Sequence, residues 1–89
     1  MNSFLISYDL IAPSKDYEKI TKKIETYPNP QRILESVWIV KSNKKAIEII
    51  DDLKLATDSN DKLFVVELKR NAASIHLDSK TDNWLEKNL

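Results

Sequence analysis

Glycine is absent from this 89-residue chain. Phosphate-cradling loops, dinucleotide-binding turns and the strained elbow of a hydrolase serine need glycine for close backbone approach or positive φ, so all three are excluded. No nucleotide cofactor is expected. Cysteine is absent as well, which removes disulfides and thiolate zinc cages as reinforcement of a small core. The one histidine, His76, cannot form a two-histidine zinc motif, and its expected place is at the surface or in packing, with no chemical role. A metal bound here would be held mainly by oxygen. The longest apolar stretches, Val37 to Val40 and Leu63 to Val66, are far too short to span a bilayer, and Met1 to Ser7 lacks the basic lead of a signal peptide. The expectation is a soluble cytoplasmic protein without a membrane partner.

What is present is balanced. Fourteen basic and fourteen acidic residues cancel, and apolar residues make up 42% of the chain. This is a globular composition in which nucleic acid would have to recognise a local patch. The length predicts a single domain over residues 1–89 that buries roughly 60 to 65% of its unfolded surface. With little stability in reserve and no covalent staple, oligomerisation is the remaining cheap reinforcement.

Ser3 to Leu10 is so densely apolar that it predicts a strand buried on both faces, central in its sheet. Pro13 and Ser14 punctuate, with Ser14 as N-cap and Asp16 and Glu18 in the first turn of a helix. Across Lys15 to Tyr27, residues Tyr17, Ile20, Ile24 and Tyr27 recur at helical spacing, and Pro28, Asn29 and Pro30 end the run. Gln31 to Lys41 is β-branched and aromatic, with the polar pair Glu35 and Ser36 predicting a bulge or tight turn in its middle. Ser42 or Asn43 is placed to cap a second helix whose apolar face is Ala46, Ile47, Ile49, Ile50 and Leu53. Leu63 to Leu68 predicts another doubly buried strand, and Thr81 to Leu89 a terminal helix with Trp84 and Leu85 turned inward. Ile75 and Leu77 offer an edge strand between them.

The order strand, helix, split strand, helix, strand matches an α+β, ferredoxin-like βαββαβ layer with both helices on one face of the sheet. The other face needs a cover, and the cheapest cover is a second copy, which predicts a homodimer through sheet faces or edges. Residues 71–89 form a C-terminal extension expected to pack on the domain or on the partner subunit.

Asp9 ends the most apolar strand, an unusual place for a charge. If the dimer axis passes near it, two Asp9 carboxylates meet and either share a proton or hold a divalent cation such as Mg²⁺, or Mn²⁺, whose water can attack a phosphodiester. The alternative is an Asx-type cap on the loop Leu10 to Ser14. Ser36 has its hydroxyl near the same region without an identifiable base, so the choice lies between a site residue and a bulge serine that satisfies its own backbone. Tyr8 and Trp38 either line the cleft and stack on bases or belong to the core. Lys15, Lys19, Lys22 and Lys23 form a basic stripe on the first helix, diluted by Asp16, Glu18 and Glu25. Lys44 and Lys45 precede the second helix while Asp51 and Asp52 stand near its end, against the macrodipole at both ends. Phosphate at the N-terminus would relieve that conflict, and ion pairs elsewhere are the alternative.

FLISYDL at Phe4 to Leu10, the helix at Ser14 to Tyr27 and ESVWIV at Glu35 to Val40 together resemble the CRISPR-associated Cas-two type of small nuclease and its VapD-like relatives. The resemblance extends over most of the chain up to Leu68. Tyr8 and Asp9 match the family's strand-end aspartate after an aromatic, and Ser36, Val37 and Trp38 match its serine-valine-aromatic stretch. Glu35 before Ser36, and Ile39 where a glutamate is frequent, depart from the pattern, and so does the basic residue early in the first helix, which has no direct match and for which Lys15 or Lys19 is the substitute as a point charge. Asp82, Trp84 and Leu85 resemble a separate bacterial and phage branch. The resemblance implies a ferredoxin-like homodimer with metal-dependent endonuclease activity on RNA or DNA, Asp9 from both chains binding the metal and Ser36 lining the cleft. Two alternatives accompany it. One is a non-catalytic dimeric nucleic-acid-binding or assembly module, and the other a VapD-like toxin endoribonuclease.

Overall fold

The computed structural model describes residues 1–11 and 17–89. The expected Ser14 cap, Asp16 and Lys15 lie outside the described residues. In chain order the elements are β1 (Asn2–Asp9), α1 (Tyr17–Ile24), β2 (Gln31–Leu34), β3 (Val37–Ser42), α2 (Ala46–Leu53), a 3-10 turn (Lys54–Ala56), β4 (Lys62–Leu68) and α3 (Ser79–Asn88). Among the described residues the strands form one sheet in the order β2-β3-β1-β4, and every neighbouring pair is antiparallel. This small α+β arrangement is compatible with a ferredoxin-like fold. No helix among the described residues is long and apolar enough to cross a membrane.

Opposite residues in an antiparallel ladder share a face, so the register sorts the side chains. Ile6 lies opposite both Trp38 and Val65, and Phe4 lies opposite Val40. Together with Tyr8 they form the face that meets the helices. The helical spacing of Ile20 and Ile24 on α1, and of Ile49 and Leu53 on α2, brings four wholly buried side chains onto it. Each such side chain contributes about 1.5–3 kcal/mol of transfer free energy.

Helix α1 stops at Ile24, shorter than the apolar spacing predicts. The Tyr27 N–H donates to the Ile24 carbonyl at 3.0 Å, and Asn29, between Pro28 and Pro30, takes φ 50, a left-handed conformation that asparagine tolerates better than most residues. Tyr27 nevertheless reaches the core from this turn. The interruption at Glu35 and Ser36 is a tight turn between β2 and β3, with a register shift between Arg32 and Leu34. Helix α2 begins later than the expected Ser42 or Asn43 cap. Ser42 Oγ accepts the Lys44 N–H at 3.0 Å, and the Lys45 N–H at the helix start donates to Glu48 Oε1 at 2.8 Å. Half of a capping box thus does the work expected of a serine.

The outward face carries Ser3, Leu5, Ser7 and Asp9 of β1, opposite Lys41, Ile39 and Val37 of β3 and Leu68, Val66, Phe64 and Lys62 of β4. Helix α3 packs within the chain onto β2. It starts at Asp78, whose side chain accepts the Thr81 N–H at 2.7 Å. Ser3 Oγ donates to the Asn88 carbonyl at 3.1 Å and Gln31 Nε2 to Thr81 Oγ1 at 3.2 Å. Trp84 and Leu85 are half-buried, as their inward expectation requires. The doubly buried reading of β4 is corrected: β4 is an edge strand, and Phe64 remains 61% exposed. No strand forms around Ile75 and Leu77, and Ile75 is 78% exposed.

Candidate functional site

Alternation along β1 fixes where its charge points. Tyr8 is buried beneath the helices, so Asp9, one residue on, belongs to the outward face and is exposed at the strand's end. Its register partner on β4 is Lys62. Among the described residues nothing hydrogen-bonds or ion-pairs with the Asp9 carboxylate. Nearby, the two carboxylate oxygens of Asp61 accept the N–H groups of Ile11 and Asp58, each at 2.8 Å; the rest of the loop that Asp9 was expected to cap, residues 12–14, lies outside the described residues. An exposed carboxylate with no partner among the described residues is accessible to a cation or to another charge.

Ser36 lies at the same end of the sheet. Its carbonyl accepts the Tyr8 N–H at 3.2 Å, so the β2–β3 turn is tied to the last residues of β1. Tyr8 and Trp38 are 5% and 6% exposed, and the Trp38 indole donates to the Tyr8 hydroxyl at 3.2 Å. Within one chain these rings are core, joined by a buried hydrogen bond. Arg32 lies 5.0 Å from the Trp38 ring centroid and donates to Thr21 Oγ1 at 3.3 Å.

The lysines divide. Lys19, Lys22 and Lys23 ride on α1, on the helix side of the sheet. Lys22 pairs with Glu18 at 2.9 Å across exposed side chains, and Lys23 pairs with Asp52 at 3.0 Å. Lys44 and Lys45 follow β3, whose end lies opposite Asn2 at the start of β1. The eight residues of β1 therefore hold them about 25 Å from Asp9. Lys44 and Lys45 cannot grip the same phosphate that reaches Asp9 in one chain.

Sequence reasoning missed a polar cluster at that far end. The Tyr27 hydroxyl donates to Asp52 Oδ2 at 2.6 Å, Lys23 lies on Oδ1, and Lys44 stands 4.0 Å from Oδ2 and 5.2 Å from the Tyr27 ring centroid. Tyr27, Pro28, Ser42, Lys44 and Asp52 line a cleft of about 310 Å³ there. Burial pushes the Asp52 carboxyl up, but hydrogen bonds from Tyr27 and Lys23 and the charges of Lys23 and Lys44 outweigh it and hold the carboxyl below its usual range. Burial, and then the neighbouring Asp52, push the Tyr27 phenol well above its usual value. The dipole conflict on α2 is thus answered inside the chain, since Asp51 also pairs with Lys54 at 3.2 Å. The visible signal was two acids at a helix end where cations are wanted.

Among the described residues no group of three or more histidine, cysteine or carboxylate side chains could hold a metal. Asp9 offers one carboxylate per chain. No protein-family model matches the chain, and no solved structure matches it.

Proposed function

We propose that this protein is a Cas-two-like homodimeric, Mg²⁺-dependent endonuclease, hydrolysing RNA or DNA phosphodiesters, with Asp9 of both copies as the metal ligands. The observation that supports this most is the Asp9 carboxylate itself, exposed at the end of a buried strand and without a partner among the described residues. Two such groups brought together across a two-fold axis supply hard oxygen ligands and leave positions to water, which suits Mg²⁺ or Mn²⁺. When bound, the ion would supply an activated water and Lewis acidity toward the phosphate. Asp9 holds it, Lys62 beside Asp9 offers a cation to the phosphate, and Ser36 borders the cleft from the β2–β3 turn.

Asp9→Asn is expected to lower Mg²⁺-dependent cleavage by at least about 100-fold while leaving the dimer folded. Undiminished cleavage by purified Asp9→Asn, free of contaminating nuclease, would refute the ligand assignment. RNA as the substrate, together with growth arrest on expression, would assign the protein to the VapD-like branch.

A second reading, a non-catalytic nucleic-acid-binding or assembly dimer, is favoured by Lys62. Placed opposite Asp9 in the register, it makes the strand ends self-complementary in charge, so that Asp9 of one copy meets Lys62 of the other. Nucleic-acid affinity that falls steeply with salt, without cleavage under any divalent cation, is its signature.

A further inference from the structure

Helix α3 is poorly anchored for the area it covers. Its ten residues, SKTDNWLEKN, include one buried residue, the polar Thr81, and Trp84 and Leu85 are its apolar contribution. A core-facing helix of that length ordinarily presents about three to four apolar residues per two turns. Its ties to the sheet are neutral hydrogen bonds, Ser3 to Asn88 and Gln31 to Thr81, with Asn29 to Asn88 at 3.0 Å on the exposed side. Water can replace each of these.

The connection to α3 points the same way. Residues 69–78 form neither helix nor strand, and all but Leu77 are exposed. Within them His76 takes φ 62, a left-handed conformation that is uncommon for a residue with a Cβ. Beside α3 the outward face carries an apolar patch that starts at Ile39, the register partner of Gln31. Ile39 is only 4% exposed, and its outward neighbours Leu5, Val66, Val37 and Phe64 continue the patch to the free end of the sheet.

We propose that α3 is a releasable cover, and that its departure offers the whole outward face of the sheet to a second copy of this chain. The inference rests on the homodimer reading above and names the surface and the gate. A two-fold contact joins the same patch on both subunits and so needs self-complementarity. The apolar band supplies it in shape-independent form, and adjacent Asp9 and Lys62 supply it in charge. With α3 in place Ile39 is covered; with α3 lifted it joins Leu5, Val37, Val66 and Phe64 in one open apolar band.

The absence of cysteine makes the test clean. In the double variant Gln31→Cys, Thr81→Cys, whose native side chains touch, a short dithiol-bridging reagent such as dibromobimane locks α3 to β2, and the same variant blocked with a monofunctional alkylating agent is the unlocked control. Sedimentation velocity across concentration is expected to show the locked form dimerising at least about tenfold more weakly than the unlocked one. Equal dimerisation of both overturns the gate and leaves the homodimer standing. If neither variant nor the wild type dimerises, the homodimer reading falls and takes the gate with it. Native-state hydrogen exchange on the wild type is a check that needs no variant: α3 amides should exchange at least about 100-fold faster than those of β1, and equal protection overturns the proposal.

Discussion

On the helix side of the sheet, Phe4, Ile6, Tyr8, Trp38 and Val40 meet Ile20, Ile24, Ile49 and Leu53, and all are buried. On the outward side the same sheet carries Leu34 and Phe64 at 56% and 61% exposed, alongside Asp9 and Lys62, and a polar helix covers one end. Both sides are rich in apolar residues, so hydrophobicity does not distinguish them. The distinction lies in what supplies the cover. Two amphipathic helices reached through short connections close one face, whereas the other is left to α3 and to whatever else can dock. Stability should therefore reside on the first face and interaction on the second.

The sharpest way to break this comparison is to truncate one side chain on each face. Ile49→Ala, at a wholly buried position on α2, is expected to cost about 2–5 kcal/mol. That is a large share of the roughly 5–15 kcal/mol available to a domain. Phe64→Ser is expected to change the unfolding free energy of the monomer by about 0.5 kcal/mol or less, and to act on self-association instead. Urea unfolding at low protein concentration measures both. A loss of several kcal/mol for Phe64→Ser would mean that the outward face is part of the monomer core.

Next in size comes Tyr8→Phe, which removes the acceptor of the buried Trp38 indole and leaves an N–H without a partner. The expected cost is about 1–3 kcal/mol. Denaturation midpoints for Tyr8→Phe, Trp38→Phe and the double variant form a cycle. Strong coupling between them places these two matching residues of the Cas-two resemblance in the folding of the domain, apart from any contact with a base.

How far the sequence carries this picture depends on what each signal needs. The β2–β3 turn was legible because Glu35 and Ser36 are polar within an apolar run. The helix faces were legible in Ile20, Ile24, Ile49 and Leu53 because spacings of three and four residues are a local property, but Tyr17 and Ile47, assigned to the same faces, are 40% and 62% exposed: an apolar residue at the margin of the stripe points past the sheet. Phe64 was not, because a dense run such as Leu63 to Val66 looks the same whether its second face meets a helix, another chain or solvent. Asp9 stood out as a charge on an apolar strand, but that strand read as buried on both faces, so its outward direction waited on the fold; the Asp61 contact with the Ile11 N–H spans fifty positions and left no local trace. The Asp52 cluster draws Lys23, Tyr27 and Lys44 from separate segments, so the sequence exposed its cause, acids at a helix end, while the remedy waited on the fold.

That cluster also tests the comparison most finely, because it ties the chain together at the end of the helix side remote from Asp9. Asp52 is held below its ordinary carboxyl range, so the native state binds its proton less readily than the unfolded chain does. Its contribution is fully present above the unfolded value of about 3.9 and is lost as pH falls through the lower folded value. Tyr27 has the opposite sign: its raised phenol contributes fully below about pH 10 and loses that contribution as pH rises further. Asp52→Asn is expected to cost about 1–2 kcal/mol at pH 7, where a charged acceptor of the Tyr27 hydroxyl is replaced by a neutral one. It should also flatten the stability profile at both extremes. Thermal unfolding from pH 2.5 to 11 measures this, and parallel profiles for wild type and Asp52→Asn would show that Lys23, Lys44 and Tyr27 do not depend on that carboxylate. Because the cluster is about 25 Å from Asp9 along β1, the same variant should leave divalent-cation dependence untouched, which separates the part that holds the helix side together from the strand end that faces outward.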